Sequence, residues 1–392
     1  MMPRMRHMPL GRVLVFLSIV GLVTGVAHAY VAGRLLSDAP LTQDALTAAH
    51  GAFAGLWALL LVGMLAGRTV PRSLASPVAW AAYLWLGVFG YLFTLSIMLE
   101  VPRALVPIGA AALGRPFDES QSALWSLGLT GLTVTAAALF AVVGFWTVLR
   151  GPVVEEVRVA LPRFPVDAPP FTLVQLSDVH IGPTIGRRFI ESVVARVNAL
   201  EPDAVVITGD LIDGPLHLLI EHAAPLGGLK ARHGVFFVTG NHEFISGPDP
   251  WLDHLPTLGI TLLRNERLSV GPIELAGVDD HDAHRFGAHP GEQVEQAVAG
   301  RDPTRPLVLL AHQPRTIHRA ARHGVDLQIS GHTHGGQMWP WNHVVPLQQP
   351  FVAGLHRHGD TQIYVSRGTG YWGPPLRVGA RAEITRIELT AP

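Results

Sequence analysis

The sequence predicts a bundle of four membrane-spanning helices followed by an α/β domain, and three observations carry that prediction. Only 15% of the 392 residues are charged, against about a quarter in ordinary globular chains, so part of the chain avoids water. Four uncharged apolar stretches lie within the first 150 residues. Beyond about residue 170, apolar runs of strand length alternate with amphipathic segments of helix length, the pattern of sheets covered by helices.

The charge divides unevenly between these halves. Residues 1–150 hold nine Lys+Arg and five Asp+Glu, the remainder twenty and twenty-five. Seventeen of the twenty histidines also follow residue 150, a first sign of metal or phosphate chemistry. The chain has no cysteine, which excludes a disulfide scaffold, a thiolate zinc site, an iron–sulfur cluster and a cysteine nucleophile. A formal net charge of -1 without a basic run argues against nucleic acid as the main partner.

The predicted spans run about Val13–Gly33, Thr47–Ala66, Pro77–Leu99 and Leu124–Leu149, each near the roughly 20 residues a bilayer requires. Arg4, Arg6, Arg12, Arg68, Arg72 and Arg150 flank one side. Arg34, Arg103 and Arg115 flank the other, diluted by Asp38, Asp44, Glu100, Asp118 and Glu119. This bias places the N-terminus inside and, after four crossings, residue 151 onward inside as well. A second reading takes Val13–Val26 as a signal-peptide core cleaved after Ala27-His28-Ala29. Three crossings then lead to the same side. The expectation is a multi-pass protein of a bacterial cell membrane with its soluble domain in the cytoplasm. Gly21/Gly25, Gly51/Gly55 and Gly63/Gly67 have the spacing of close helix contacts in lipid. His28 and His50 are the ionisable residues of the spans, which makes an anchor or lipid-presenting bundle a better reading than an ion pathway.

Residues 151–170 read as a Pro-punctuated linker with one β-like run, Val153–Leu161, and residues 171–392 as the soluble domain. Strands are expected at Phe171–Leu176, Ala204–Thr208, Val235–Thr239, Leu307–Leu310, Leu327–Ser330, Gln362–Ser366 and Glu383–Leu389. Helices are expected at Arg187–Leu200, Leu216–Leu229, Pro250–Leu258 and Pro314–Arg322. Five of those strands end in chemistry-bearing residues: Ser177-Asp178-Val179-His180, Gly209-Asp210-Leu211-Ile212-Asp213, Gly240-Asn241-His242-Glu243, Ala311-His312-Gln313-Pro314 and Gly331-His332-Thr333-His334. Open α/β sheets build their sites at strand carboxyl ends, where the loops converge.

These five blocks, in this order over residues 171–335, resemble the calcineurin-like metallophosphoesterase superfamily. Leu262-Leu263-Arg264-Asn265-Glu266, Gly277-Val278-Asp279-Asp280 and the block continuing to Gln337 resemble a subgroup of it. That subgroup includes membrane-attached bacterial phosphodiesterases and UDP-diacylglucosamine pyrophosphatases. The resemblance implies a layered β-sandwich flanked by helices and a site for two divalent ions, Mn(II) first, with Fe or Zn as alternatives. It implies Asp178, His180 and His334 on one ion, Asn241, His312 and His332 on the other, and Asp210 bridging both. Two such ions roughly 3.5–4 Å apart can share an attacking hydroxide and clamp phosphoryl oxygens. His242 would contact the phosphate and protonate the leaving oxygen. Asp213 and Glu243 are read as residues that orient these ligands or cap a turn.

The expected activity is hydrolysis of a phosphodiester or pyrophosphate bond in a lipid-linked substrate, since a tethered domain meets lipid headgroups at high effective concentration. A soluble nucleotide diester is the alternative, and a non-catalytic sensor or scaffold a third class. No protein partner can be inferred. Arg367 and Arg377 flank Gly368-Thr369-Gly370-Tyr371-Trp372-Gly373 and suit a grip on a second phosphate; structural salt bridges account for them equally well. Asp279-Asp280-His281-Asp282-Ala283-His284 reads as a solvated surface loop in preference to a cleft lining. The apolar stretch from Met338 to Phe351 fits a bilayer interface or a packed loop.

Overall fold

The computed structural model describes residues 10–37, 39–287 and 289–392. Arg4, Arg6, Asp38 and the Arg12 side chain, counted in the charge bias above, lie outside the described residues. The chain forms two compact units, one of residues 1–69 and 77–142 and one of residues 70–76 and 143–392.

Four long apolar helices make up most of the first unit: α1 (Leu10–Leu36), α2 (Gln43–Thr69), α3 (Arg72–Ala112) and α4 (Glu119–Leu149). All four are long and apolar enough to cross a membrane. The 41-residue α3 is far longer than the span expected at Pro77–Leu99. It takes Glu100 and Arg103 into the helix and places Glu100 against α1, where the carboxylate accepts from Arg34 Nε and Nη2 at 2.5 and 2.8 Å and from the Tyr30 hydroxyl at 3.2 Å. Pairing of this kind is what makes charges tolerable beside a bilayer. His28 Nδ1 lies 2.7 Å from the Thr24 carbonyl and Nε2 accepts from Trp85 Nε1 at 3.1 Å, so the ring is satisfied within the bundle. The glycine pairs separate: a Cβ on Gly63 would collide with Ala82 and one on Gly25 would press on Trp57, whereas Gly51 and Gly55 face open space.

In the second unit two six-stranded sheets face each other. The strands are β1 (Val153–Ala160), β2 (Phe171–Leu176), β3 (Ala204–Thr208), β4 (Val235–Val238), β5 (Ile260–Leu262), β6 (Glu266–Val270), β7 (Ile273–Gly277), β8 (Leu307–Leu310), β9 (Leu327–Ser330), β10 (Gly354–His358), β11 (Thr361–Val365) and β12 (Glu383–Thr390). Their orders are β1-β12-β2-β3-β4-β5 and β10-β11-β9-β8-β7-β6. Alternate residues of β2, β3, β7 and β8, such as Leu173, Val206, Leu275 and Val308, meet in one buried core between the sheets, as the two-residue period of a strand requires. Their neighbours Leu307, Leu309 and Ala276 turn outward against α9 (Val294–Val298) and α10 (Ile317–Ala320). The other sheet carries α5 (Arg187–Asn198), whose Ile190, Val193, Val194 and Val197 are buried, and α6 (Leu216–Ala223). Two short helices, α7 (Asn241–Ser246) and α8 (Pro248–His254), follow β4.

Three differences from the sequence reading have clear causes. The stretch read as linker contributes an edge strand, since β1 pairs in parallel with β12 over its whole length. The β6–β7 hairpin turns on Gly271-Pro272, with Val270 paired to Ile273, and its mixed polar and apolar strands lack a clean two-residue period. The helix expected to reach Leu229 stops at Ala223 and continues as a 3-10 turn, because Pro225 supplies no backbone N–H.

Candidate metal centre

The five chemistry-bearing blocks leave β2, β3, β4, β8 and β9 at the same edge of the sandwich. β2, β3 and β4 are parallel neighbours, as are β8 and β9. The backbone turns sharply where each ligand leaves its strand. Asp178, His180, Asp210, His332 and His334 all have positive φ, between 51° and 71°. Left-handed backbone is uncommon for any residue but glycine, and it concentrates at sites where the surrounding fold enforces it. Two glycines of the motifs are there for closeness: a Cβ on Gly240 would collide with Asp210 Oδ1, and one on Gly331 with Ser177 Oγ and Asp178 Oδ2.

The loops bring Asp178, His180 and His334 into one group whose ligand atoms lie within 4.8 Å of one another, and Asp210, His312 and His332 into a second. A third such group joins His180, Asp210 and His242, so Asp210 belongs to two of the three. In the first group His334 Nε2 lies 3.4 Å from Asp178 Oδ1 and 3.0 Å from His180 Nε2. In the second His312 Nε2 lies 3.2 Å from Asp210 Oδ2 and 3.2 Å from His332 Nδ1.

This donor set fits a pair of cations. Each pair of opposed ring nitrogens can share at most one proton, whereas a metal ion accepts both lone pairs at once. His312 Nδ1 is bonded to the Thr208 carbonyl at 2.7 Å, which directs Nε2 at the carboxylate. Asn241 Oδ1 is buried without a hydrogen-bond partner, an orphan acceptor of the kind a cation satisfies. The electrostatics agree. Burial alone would lower His312, but Asp210 and Asp178 outweigh it and hold it well above the usual value. Burial would raise Asp210, yet His312 and His242 keep it well below the carboxylate range. Burial and the neighbouring His312 push His332 down to about 3, so its ring is neutral and available as a ligand. Mixed carboxylate, amide and imidazole donors suit Mn(II), Fe or Zn.

Around these groups sit the supporting residues. Glu243 is fully buried and accepts from the backbone N–H of Asp210, Leu211 and Gly240 at 3.0, 2.8 and 2.6 Å, fixing the turn that presents Asp210. Asp213 holds His242 Nδ1, while His242 Nε2 stands 3.9 Å from Asp210 Oδ2. Burial would lower His242, but Asp210 and Asp213 raise it to about 9.

The contacts of Arg367 and Arg377 fit the structural one of their two readings, and the expectation for the loop at 279–284 needs correction. Arg377 is 1% exposed, and its guanidinium donates to the carbonyls of Gly370, His334, Ala380 and Gly368. Those bonds leave no donor for a second phosphate; the side chain ties the loops together behind His334, with Nη2 3.2 Å from His334 Nδ1. Arg367 is bonded to Glu383 at 2.6 Å, so its charge is matched inside the fold. The loop expected to be solvated is instead buried at Asp279 and Asp280. Asp279 accepts from Arg264 at 3.0 and 2.8 Å and Asp280 from Gln313 at 3.2 and 3.1 Å. The bonding role of Gln313 follows no motif signal beyond its place beside His312.

Comparison with known proteins gives the same picture. The profile of the family described as calcineurin-like phosphoesterase matches residues 171–336. A cattle protein named "Transmembrane protein with metallophosphoesterase domain" is 42% identical over 276 residues, 66% of this chain. The chain spans 62% of that relative's length. A Danio rerio protein of the same name is 37% identical over 323 residues, 79% of this chain and 74% of its own length. That match is longer than everything after Arg150, so it extends into the apolar half. A metallophosphoesterase of Helicobacter pylori is 40% identical over 248 residues, 63% of this chain and 66% of its own. With a relative matched at this identity over most of its length, the chain belongs to the calcineurin-like phosphoesterases, as a membrane-attached member.

Proposed function

We propose that this protein is a metal-dependent hydrolase that cleaves a phosphodiester or pyrophosphate bond in a lipid-linked phosphate. The observation that carries this reading is the pair of ligand groups placed side by side, with Asp210 facing His180 and His242 on one side and His312 and His332 on the other. In the proposed assignment Asp178, His180 and His334 hold one divalent ion, Asn241, His312 and His332 the other, and Asp210 both, with Mn(II) the first choice of metal. Such ions, when bound, lower the pKa of water and stabilise the charge that gathers on phosphoryl oxygens.

The chain's own contribution is orientation and a proton. Glu243 holds the Asp210 turn rigid through three backbone N–H groups. Asp213 fixes the His242 ring through Nδ1 and, after Asp210, favours its protonated form. Nε2 is then the acid: as the phosphorus–oxygen bond to the leaving group breaks, that oxygen takes the Nε2 proton. The lipid assignment rests on the four apolar helices, which hold a catalytic domain where lipid phosphates are concentrated. The arginine bias of the sequence supports a cytoplasmic position for that domain.

Full-length protein in detergent micelles, assayed with Mn(II) and with chelator, tests the reading. A lipid pyrophosphate or a phospholipid diester is expected to exceed soluble bis(p-nitrophenyl) phosphate in kcat/KM by more than tenfold. Equal kcat/KM for the lipid and soluble substrates would assign the helices to anchorage alone, metal-independent rates would remove the metal centre from the reaction, and no turnover with Mn(II) would remove the hydrolase reading.

A further inference from the structure

Trp372 stands at the edge of the site and nothing in the proposed chemistry uses it. It is 56% exposed, unusual for a side chain that gains so much by burial. Its ring lies edge-on to His242, with centroids 5.7 Å apart and planes at 76°. His242 in turn meets His180 of the first metal group at 4.7 Å. The acid is therefore the ring neighbour of both a metal-ligand histidine and an exposed indole.

The position of Trp372 is fixed by its backbone. Trp372 N donates to Gln337 Oε1 at 3.0 Å, and Gln337 Nε2 donates to the carbonyls of Trp372 at 3.0 Å and Pro374 at 3.1 Å. Gln337 lies three residues past His334, at the end of a left-handed run through Gly335 and Gly336, and itself has φ 49°. One side chain thus staples the Trp372 loop to the loop that presents a metal ligand. An apolar surface held in this way has already lost much of the freedom that binding would otherwise cost.

We infer that Trp372 is a specificity residue: the platform for an apolar or flat substituent on the phosphate, on the side where His242 delivers its proton. This rests on the hydrolase reading and narrows its substrate to phosphates carrying a bulky apolar group, in preference to inorganic phosphate or small monoesters. An aromatic base or aryl group and an aliphatic lipid portion both present the required apolar surface.

Calorimetric binding of phosphonates to Mn(II)-loaded full-length protein separates these cases without turnover. Methylphosphonate supplies the phosphate-like head alone, phenylphosphonate adds a flat ring, and butylphosphonate an aliphatic chain. Trp372→Ala should weaken phenylphosphonate about tenfold, the scale of base–aromatic stacking, and methylphosphonate less than twofold. Trp372→Phe should restore most of the phenyl affinity. A like loss for butylphosphonate points to the lipid source, and a loss confined to phenylphosphonate to an aryl or nucleoside source. Equal weakening of phenyl- and methylphosphonate, or no rescue by Trp372→Phe, would overturn the platform. Failure of the hydrolase reading is a separate result, seen as absent metal-dependent turnover in the unsubstituted protein.

Discussion

His334 and His312, one ligand histidine of each group, stand on opposite supports, whereas His180 of the first group has Asp213 Oδ1 3.2 Å from its Nδ1. Behind the first, the Arg377 guanidinium lies 3.2 Å from His334 Nδ1, and both Asp178 oxygens accept from His332 N at 3.0 Å. Ser177 Oγ takes a further share of Asp178 at 2.5 Å. Behind His312 the acceptor is the Thr208 carbonyl on Nδ1, while the Glu243 side chain lies beneath the turn of Asp210, the residue common to both groups. An anion or carbonyl behind a ligand strengthens its donation, and a cation or a competing donor weakens it. The difference teaches that a dinuclear site need not be symmetric. The contrast predicts that His334 donates less strongly to an ion than His312 does.

The comparison can be broken or sharpened by substitution. The largest effect belongs to Asp210→Ala, which removes the residue shared by the groups. Both ions should be lost from elemental analysis and the rate should fall by about a thousandfold or more; full metal content at a normal rate would break the shared-ligand scheme. Next is Glu243→Gln, which replaces one of the two oxygens that accept three buried N–H bonds. It should cost about 1–3 kcal/mol of stability, read from denaturant unfolding. Chelator titration of the unsubstituted protein tests the asymmetry directly. One ion should leave at about tenfold lower chelator than the other, with His334→Ala eliminating the weakly held ion and His312→Ala the tightly held one. A single transition for both ions would end the distinction.

The smallest effect concerns His242, whose raised value of about 9 follows from Asp210 and Asp213. A base whose protonated form is favoured by carboxylates loses that proton more easily when one is neutralised. Asp213→Asn should therefore move the alkaline limb of the kcat profile to lower pH by about one unit. An unmoved limb would show that another group carries the proton.

The catalytic blocks are legible because their chemistry is local. Each lies within a few residues of a strand that reads as an uninterrupted apolar run, such as Phe171–Leu176 or Leu327–Ser330. The four spans are legible for a similar reason, since an uncharged apolar run of that length has few homes outside a bilayer. Elements with weaker local signatures escaped. The β6–β7 hairpin and the three-residue β5 lack a clean alternation. The edge strand β1 is legible as the β-like run Val153–Leu161, but the prolines around it make that stretch read as a linker.

What the sequence determined by itself is the order of spans and strands and the residue types at the strand ends, because hydrophobic period and motif spacing are properties of neighbours along the chain. What only the tertiary structure decided is which polar residues face the site and which are spent holding it. Arg377 reads equally as a phosphate grip or a structural residue in one dimension, and its guanidinium lies among loop carbonyls of Gly368, Gly370, His334 and Ala380. Asp279 and Asp280 read as a solvated loop and are buried on Arg264 and Gln313. Gln337 ends a block that the sequence marks without giving it a role, and it is the residue that fixes Trp372 beside His242. A side chain's role depends on the partners that folding brings to it, and partners far apart in the chain are not written in any local pattern.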